Sequence, residues 1–179
     1  GCFGDNVRAF KVDGSFDDCQ ALAKTLLTDA AFRAQLPLGS ANSISLGRLL
    51  PQAAYYAHAA LSHQRATGNV LNFVIPTGNL GNALACLLAK RMGLPIGQLV
   101  LASNANTVLP DFFAGGDYHP KPSVATLANA MDVGAPSNFE RLQYLYPDTE
   151  TLRHTLRAEA VSDAQIRAAI VRTRDERGH

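Results

Sequence analysis

The run Phe73-Val74-Ile75-Pro76-Thr77-Gly78-Asn79-Leu80-Gly81-Asn82-Ala83-Leu84 passes from an apolar segment through a turn rich in glycine and asparagine to helical spacing. It predicts a strand, a tight loop and a helix that begins near Asn82. Residues 78–82, the glycine loop, contain Gly78 and Gly81, which permit positive φ angles and close approach of the backbone to a ligand. Converging amides and the positive end of the helix dipole would suit a phosphate.

The alternative for this loop is a plain corner between a strand and a helix, and one glycine-rich loop does not decide between the two. The lysine and the Ser/Thr of a nucleoside-triphosphate loop are missing, and the spacing is not Gly-x-Gly-x-x-Gly. An anion site here is therefore of another kind.

The composition of the 179-residue chain favours a small polar ligand. Lysine plus arginine (16) nearly balances aspartate plus glutamate (15), which argues against nucleic acid or an anionic membrane as a partner. The chain has no run long enough to span a membrane and no signal-peptide pattern. Cys2, Cys19 and Cys86 suggest neither a disulfide framework nor a zinc site, so we expect a cytoplasmic protein without a metal.

The chain opens on Gly1 and closes on a charged run, residues 172–178, that completes no recognisable element. We interpret it as an excised piece of a longer protein.

The first part of the chain is predicted to hold a strand and a helix. Residues 7–12 alternate apolar and polar side chains, as a half-exposed strand would. Ser15 precedes Asp18 as in a capping box, and the apolar stripe after it predicts an amphipathic helix to about Thr28.

The middle of the chain is predicted to form a parallel βαβ unit. Apolar residues recur at helical spacing from Leu46 to Leu61. Pro51 lies within this pattern, which predicts a kinked helix or two segments. Buried strands at residues 70–75 and 98–102 flank the helix that follows the glycine loop. The irregular run at residues 103–136 is of the kind that is usually functional or covers a site.

The last part of the chain is predicted to be helical. Ser137-x-x-Glu140 and Ser162-x-x-Gln165 read as capping boxes, and Leu152 and Leu156 indicate a helix between them. The whole order of elements is that of an α/β protein.

A second candidate anion site combines Asn42-Ser43, at the mouth of the long helix, with Arg48. Two short donors and an arginine fork suit a phosphate or a carboxylate. The alternative is a simple helix cap beside an arginine that pairs with a surface carboxylate. His58 and His63 are five residues apart and do not suggest a metal, and no serine or cysteine has an obvious histidine partner.

Several blocks of the sequence together resemble threonine synthase. They occur in that family in the same order and at similar separations, and cover nearly the whole chain. The blocks are Gly14-Ser15-Phe16-Asp17-Asp18-Cys19-Gln20, Ser40-Ala41-Asn42-Ser43-Ile44, Gly47-Arg48-Leu49-Leu50-Pro51-Gln52, Pro76-Thr77-Gly78-Asn79-Leu80-Gly81-Asn82, Ala130-Met131-Asp132 and Ser137-Asn138-Phe139-Glu140-Arg141-Leu142.

The resemblance implies a tryptophan synthase β-like fold (pyridoxal-phosphate fold type II): an α/β protein with a partial open parallel sheet and flanking helices. Residues 1–36 would be a strand–helix piece of the smaller domain, and residues 37–179 part of the larger, pyridoxal-phosphate-binding domain. The enzymes of this family are carbon–oxygen lyases that convert O-phosphohomoserine and water to threonine and phosphate. The cofactor, pyridoxal 5'-phosphate, acts as an electron sink.

The resemblance also assigns site residues. The loop of Gly78, Asn79, Leu80, Gly81 and Asn82 would hold the cofactor phosphate through backbone amides. Asn42, Ser43 and Arg48 match the positions that hold the substrate phosphate. Ser45 stands where many relatives have asparagine.

The resemblance assigns no catalytic residue to this chain. The family's Schiff-base lysine precedes the matched region, and Lys11, Lys24, Lys90 and Lys121 stand in no motif like it. We expect the isolated chain to be inactive. The alternatives are a non-catalytic, threonine-synthase-like module that binds phosphometabolites, and another enzyme of the same fold; the oligomeric state stays open.

Overall fold

The computed structural model describes residues 4–178, so Cys2 and His179 lie outside the described part. The chain divides into two compact units, Gly1–Leu38 and Gly39–His179. Their assignment to a smaller and a larger domain, with a boundary after residue 36, stays a prediction.

The described part of the first unit is helical. Helix α1 (Phe16–Thr28) begins at the predicted capping box: the Ser15 hydroxyl accepts from the Asp18 amide, and Asp18 accepts from the Ser15 amide. A second helix, α2 (Ala30–Gln35), follows with Asp29 as its cap. The strand predicted at residues 7–12 is wrong. Residues 4–38 contain no strand with which it could pair, and an unpaired strand leaves its backbone groups without partners.

The second unit is built on an open parallel sheet of three strands in the order β1-β2-β3. The strands are β1 (Leu71–Pro76), β2 (Ile96–Ser103) and β3 (Leu156–Ala160). Leu101 lies opposite Ile75 on one side and Ala158 on the other. The predicted βαβ unit is confirmed, and the fold class is α/β with helices flanking the sheet.

The long helical pattern before β1 is two segments, as Pro51 predicts. Helix α3 (Leu46–Leu49) runs into a short 3-10 helix (Leu50–Gln52), and α4 (Ala53–Thr67) follows. Proline occupies the first turn of the new segment, where its missing N–H costs least. Gly68 ends α4 in the left-handed conformation.

Five further helices complete the unit. They are α5 (Gly81–Arg91), α6 (Val108–Phe113), α7 (Phe139–Leu145), α8 (Thr149–Thr155) and α9 (Asp163–Arg177), with a 3-10 helix at Asn129–Met131. Ser162 and Gln165 form the predicted capping box of α9.

The third strand of the sheet was not predicted from the sequence. Leu156 is not the end of a helix but the first residue of β3, paired with Leu99 and 2% exposed. The pairing with β2 buries Leu156 and satisfies backbone groups, and this tertiary gain overrides the local helical spacing.

Helix α5 lies in the middle of the core. Seven of its eleven residues are buried, including Leu84 and Leu87, together with Leu99 and Leu101 of the sheet. A helix surrounded by packing on most of its faces is held firmly, so its N-terminus is a fixed point of the structure. Within residues 4–178, no helix is both long enough and apolar enough to cross a membrane.

Candidate phosphate-binding site

A cavity of about 370 Å³ opens where β1 ends and α5 begins. Its walls include all eight residues predicted to bind phosphates: Asn42, Ser43, Arg48, Gly78, Asn79, Leu80, Gly81 and Asn82. The structure therefore brings the two predicted anion sites, which lie 30 or more residues apart in sequence, into one place.

The glycine loop presents the N-terminus of α5 to this cavity. The first amide of the helix to bond back is that of Leu84, which donates to the Leu80 carbonyl over 2.8 Å. The amides of Gly81, Asn82 and Ala83 come before it, so they have no acceptor within their own helix. No side chain caps the helix. These donors and the helix dipole are available to an anion.

The glycines of the loop serve close packing. Gly78 and Gly81 permit positive φ angles, but neither adopts one, and the left-handed residue of the loop is Leu80, at φ 63°. A Cβ on Gly81 would lie 2.6 Å from the Ser43 Cβ, and one on Gly78 would lie 2.9 Å from the Met131 Cα. Glycine is needed here because neighbouring chain segments press against the loop.

The Asn82 side chain is held by residues of the preceding helical segments. Its Oδ1 accepts from the Tyr56 hydroxyl, and its Nδ2 donates to Gln52 Oε1 over 2.9 Å and to the Tyr55 hydroxyl. Burial, with the nearby Cys86 and Tyr55, raises the pKa of Tyr56 far above its ordinary value. Tyr56 therefore stays a neutral donor, and Asn82 keeps one orientation.

The Asn79 side chain joins the two predicted sites. Its Nδ2 donates to the Ser43 hydroxyl over 2.8 Å, and its Oδ1 accepts from the amide and the hydroxyl of Ser137 at 2.6 Å and 3.0 Å. The predicted capping box at Ser137 is wrong, since the N-cap position of α7 is Asn138, whose side chain makes no capping bond, and Ser137 bonds to Asn79 instead. Ser137 therefore makes a hydrogen bond to a residue 58 positions away in place of the predicted local capping bond.

Two residues behind the cavity were given no role by the sequence. Asn138, with 0% of its surface exposed, donates to the Asn79 carbonyl over 2.9 Å and to the Ser43 hydroxyl over 3.2 Å. Arg141 donates to the carbonyls of Ser43 and Ile44 and to the Asn138 side chain. Both belong to a block of the family resemblance, but their contacts with residues 43, 44 and 79 span 59 to 98 residues, and no local pattern reveals them.

Arg48 brings positive charge to the cavity wall. It lies on the short helix α3 and is exposed. Within residues 4–178, its guanidinium makes no hydrogen bond or ion pair with another side chain. The alternative in which Arg48 pairs with a surface carboxylate therefore finds no support in the described residues.

The irregular run between β2 and α7 contributes part of the wall. Ala130 and Met131 line the cavity, and the next residue, Asp132, accepts hydrogen bonds from Asn104 at 2.8 Å and Thr126 at 2.7 Å. The bond from Asn104 ties this part of the wall to the end of β2, so two residues of the irregular run line the cavity.

Among residues 4–178, no lysine lines the cavity. Lys90 donates to the Gly97 carbonyl over 2.5 Å, and Lys121 pairs with Asp111. Residues 4–178 also hold no group of three or more histidine, cysteine, aspartate or glutamate side chains that suits a metal ion.

The donors around the cavity fit a phosphate monoester. Free amides at a helix N-terminus and an arginine all favour a dianion. The volume is that of a small-molecule site. At positions 78 and 81 a side chain would clash with Met131 and Ser43, so only glycine fits there.

The fold defines the class of protein as pyridoxal-phosphate fold type II. Maize serine racemase, at 13% identity, superposes with a TM-score of 0.53 over 91% of this chain and 46% of its own. This likeness shows the shared fold.

Within this class the chain is homologous to a part of the threonine synthases. The crystal structure from Escherichia coli has a TM-score of 0.81 at 40% identity. The match covers 90% of this chain and 38% of that structure. The structure from Brucella melitensis, described as bound to pyridoxal phosphate, has a TM-score of 0.77 at 33% identity. The match covers 93% of this chain and 41% of that structure. The Serratia marcescens enzyme is 41% identical over 160 residues, which are 89% of this chain.

The chain spans about a third of the length of these curated relatives: 37% of the Serratia marcescens enzyme and 33% of the Escherichia coli enzyme. No protein-family model matches it.

Proposed function

We propose that this chain forms the two phosphate sites of a threonine synthase, which converts O-phosphohomoserine and water to threonine and phosphate. The observation that carries the proposal is the cavity itself, because eight residues assigned from two separate stretches of sequence line one volume. The homology to threonine synthases over most of the chain supports the same reaction.

In this proposal the glycine loop holds the phosphate of pyridoxal 5'-phosphate. The amides of the loop and of the first turn of α5 donate to the phosphate oxygens, and each such bond to a charged group contributes about 1.5–3 kcal/mol. The bonds from Tyr56 and Gln52 keep Asn82 in place beside them. When bound, the cofactor supplies an electron sink for carbanion chemistry.

The neighbouring wall takes the phosphate of the substrate. Arg48 offers a planar fork of donors, which suits phosphate oxygens. Asn42 accepts from the Ser43 hydroxyl through its Oδ1 over 3.1 Å, and this bond fixes the direction of its amide. Binding a phosphate away from the reacting carbons orients them and helps to exclude other substrates.

No lysine of the described residues, 4–178, lies on this wall to bind the cofactor covalently. Lys90 and Lys121 are engaged elsewhere. We therefore propose that the isolated chain binds phosphate esters without turning them over. The same observation favours the second candidate, a non-catalytic module that binds phosphometabolites.

A hybrid enzyme distinguishes the two candidates. This chain replaces the matching segment of the Escherichia coli threonine synthase, to which it is 43% identical over 143 residues. The threonine synthase proposal expects phosphate release from O-phosphohomoserine, followed by phosphorus NMR, and its loss on Arg48→Gln. A hybrid that folds and binds the cofactor but releases no phosphate contradicts the enzyme and supports the non-catalytic module.

The partners and compartment belong to the same proposal. The partner is a small phosphorylated amino acid, without nucleic acid or membrane, and the compartment is the cytoplasm. The nearly balanced charge and the free cysteines at positions 19 and 86 support this placement. Fractionation of cells that express the protein with a small tag tests it.

A further inference from the structure

We propose that Asn138 and Arg141 form a clamp that couples the two phosphate sites, so that filling one site orders the other. The inference rests on the proposed function for the identity of the two ligands. Neither residue is part of the cavity wall. Both are positioning residues, which act through Ser43 and Asn79.

The joint between the sites is the Ser43 hydroxyl. It donates to Asn42 Oδ1 and accepts from the side-chain amides of Asn79 and Asn138, at 3.1, 2.8 and 3.2 Å. One donor and two acceptor positions are all that a hydroxyl has, so this one is fully engaged. A shift of Asn79 in the glycine loop must therefore move the Ser43 side chain or break a hydrogen bond.

Arg141 fixes the backbone of the same segment. Its Nη1 donates to the Ser43 carbonyl over 3.0 Å, and its Nη2 donates to the Ile44 carbonyl. Nη1 also donates to Asn138, whose own amide reaches the Asn79 carbonyl over 2.9 Å. A planar guanidinium can bridge these acceptors in a fixed geometry, which a lysine ammonium cannot do.

The clamped segment belongs to no helix or strand. Its local support is a turn bond from the Ser45 amide to the Asn42 carbonyl and a bond from the Asn42 amide to the Ser40 hydroxyl, and the bonds from Asn138 and Arg141 add the long-range support. A phosphate bound to the loop holds Asn79 still, and the clamp passes that order to residues 42–44. The second ligand then has less conformational entropy to lose, and the coupling is reciprocal.

Amide hydrogen exchange with a single ligand tests the clamp. Pyridoxine 5'-phosphate, which lacks the aldehyde and cannot react with lysines, is added to saturation. Exchange at residues 42–46 is expected to slow about fivefold in the unmodified chain. In Arg141→Lys we expect the slowing to fall below about twofold.

Arg153→Lys is the matched control. Arg153 also bonds to two backbone carbonyls, those of Phe112 and Gly116, and is not part of the cavity wall. It should keep the full slowing. Equal slowing in Arg141→Lys and Arg153→Lys overturns the clamp.

Two further outcomes separate the clamp from the proposed function. Binding of pyridoxine 5'-phosphate to the unmodified chain without slowing at residues 42–46 overturns the clamp alone. No binding at all overturns both. If Arg141→Lys does not fold, Ser43→Ala replaces it: this change removes the joint and keeps the backbone bonds of Arg141. In Ser43→Ala, the slowing of exchange at residues 42–46 should fall below about half of that in the unmodified chain. Slowing equal to that of the unmodified chain overturns the clamp.

Discussion

Gly81 faces Ser43 so closely that a methyl group on Gly81 would lie 2.6 Å from the Ser43 Cβ. The contact joins the first residue of α5 to the segment that we assign to the substrate phosphate. The two proposed phosphate sites are thus in direct contact, as well as connected through the hydrogen bonds of Asn138 and Arg141.

Gly81→Ala is expected to destabilise the fold by about 1–3 kcal/mol, because the new methyl group overpacks the contact with Ser43. It should also weaken binding of pyridoxine 5'-phosphate, since the loop amides are displaced. Urea unfolding and a binding titration measure both effects. Gly39→Ala is the control, because a Cβ there has no neighbour within 4 Å. Identical behaviour of the two variants contradicts the packing role of Gly81.

Arg48→Gln is expected to weaken binding of n-propyl phosphate, an amine-free mimic of the distal end of the substrate, by about tenfold or more. The titration is done with the glycine loop saturated by pyridoxine 5'-phosphate. The affinity for that first ligand should change by less than about threefold, because Arg48 serves the other site. Arg65→Gln, on the last turn of α4, is the control. If Arg48→Gln weakened only the binding of pyridoxine 5'-phosphate, Arg48 would belong to the cofactor site and the assignment of the two phosphate sites would be reversed.

Tyr56→Phe is expected to cost about 0.5–1.5 kcal/mol of unfolding free energy, because the half-buried Asn82 Oδ1 loses its donor. The affinity of the loop for pyridoxine 5'-phosphate should fall with it. Tyr144→Phe is the matched control, since that ring is 86% exposed. Equal stability of the two variants would show that the Tyr56 hydroxyl does not hold the loop.

Alkaline pH is expected to destabilise the fold through Cys86. Burial raises the pKa of its thiol from 9.0 to about 12 in the folded chain. The folded state keeps a proton that the unfolded state loses, so the stabilising contribution is complete below pH 9 and is lost as the pH rises towards 12. The measurement compares Cys2→Ser/Cys19→Ser with the same chain carrying Cys86→Ala. The alanine chain should lose less unfolding free energy between about pH 8 and about pH 11, and parallel curves would refute the assignment.

The sequence predicted the elements whose signals are local. The capping boxes of Ser15 and Ser162, the break at Pro51 and the strand–loop–helix around Gly78 all depend on residues within a few positions of one another. For this reason the βαβ unit and the parallel sheet are confirmed.

The sequence did not predict the features that depend on contacts between residues far apart in the chain. β3 exists because β2 offers it a partner, and the strand predicted at residues 7–12 is absent because no partner strand lies in the described part of its unit. Ser137 bonds to Asn79 across 58 residues in place of capping α7. In the site, the walls were predicted from motifs, while the support from Asn138 and Arg141 arises only from folding.

The central claim is that the glycine loop binds the phosphate of the cofactor. The most direct test compares the affinities of this chain for pyridoxine 5'-phosphate and for pyridoxine, which differ only in the phosphate group. We predict that the phosphate ester binds about 100-fold more tightly and that Gly81→Ala removes most of the difference. Equal affinities for the two compounds would contradict the claim.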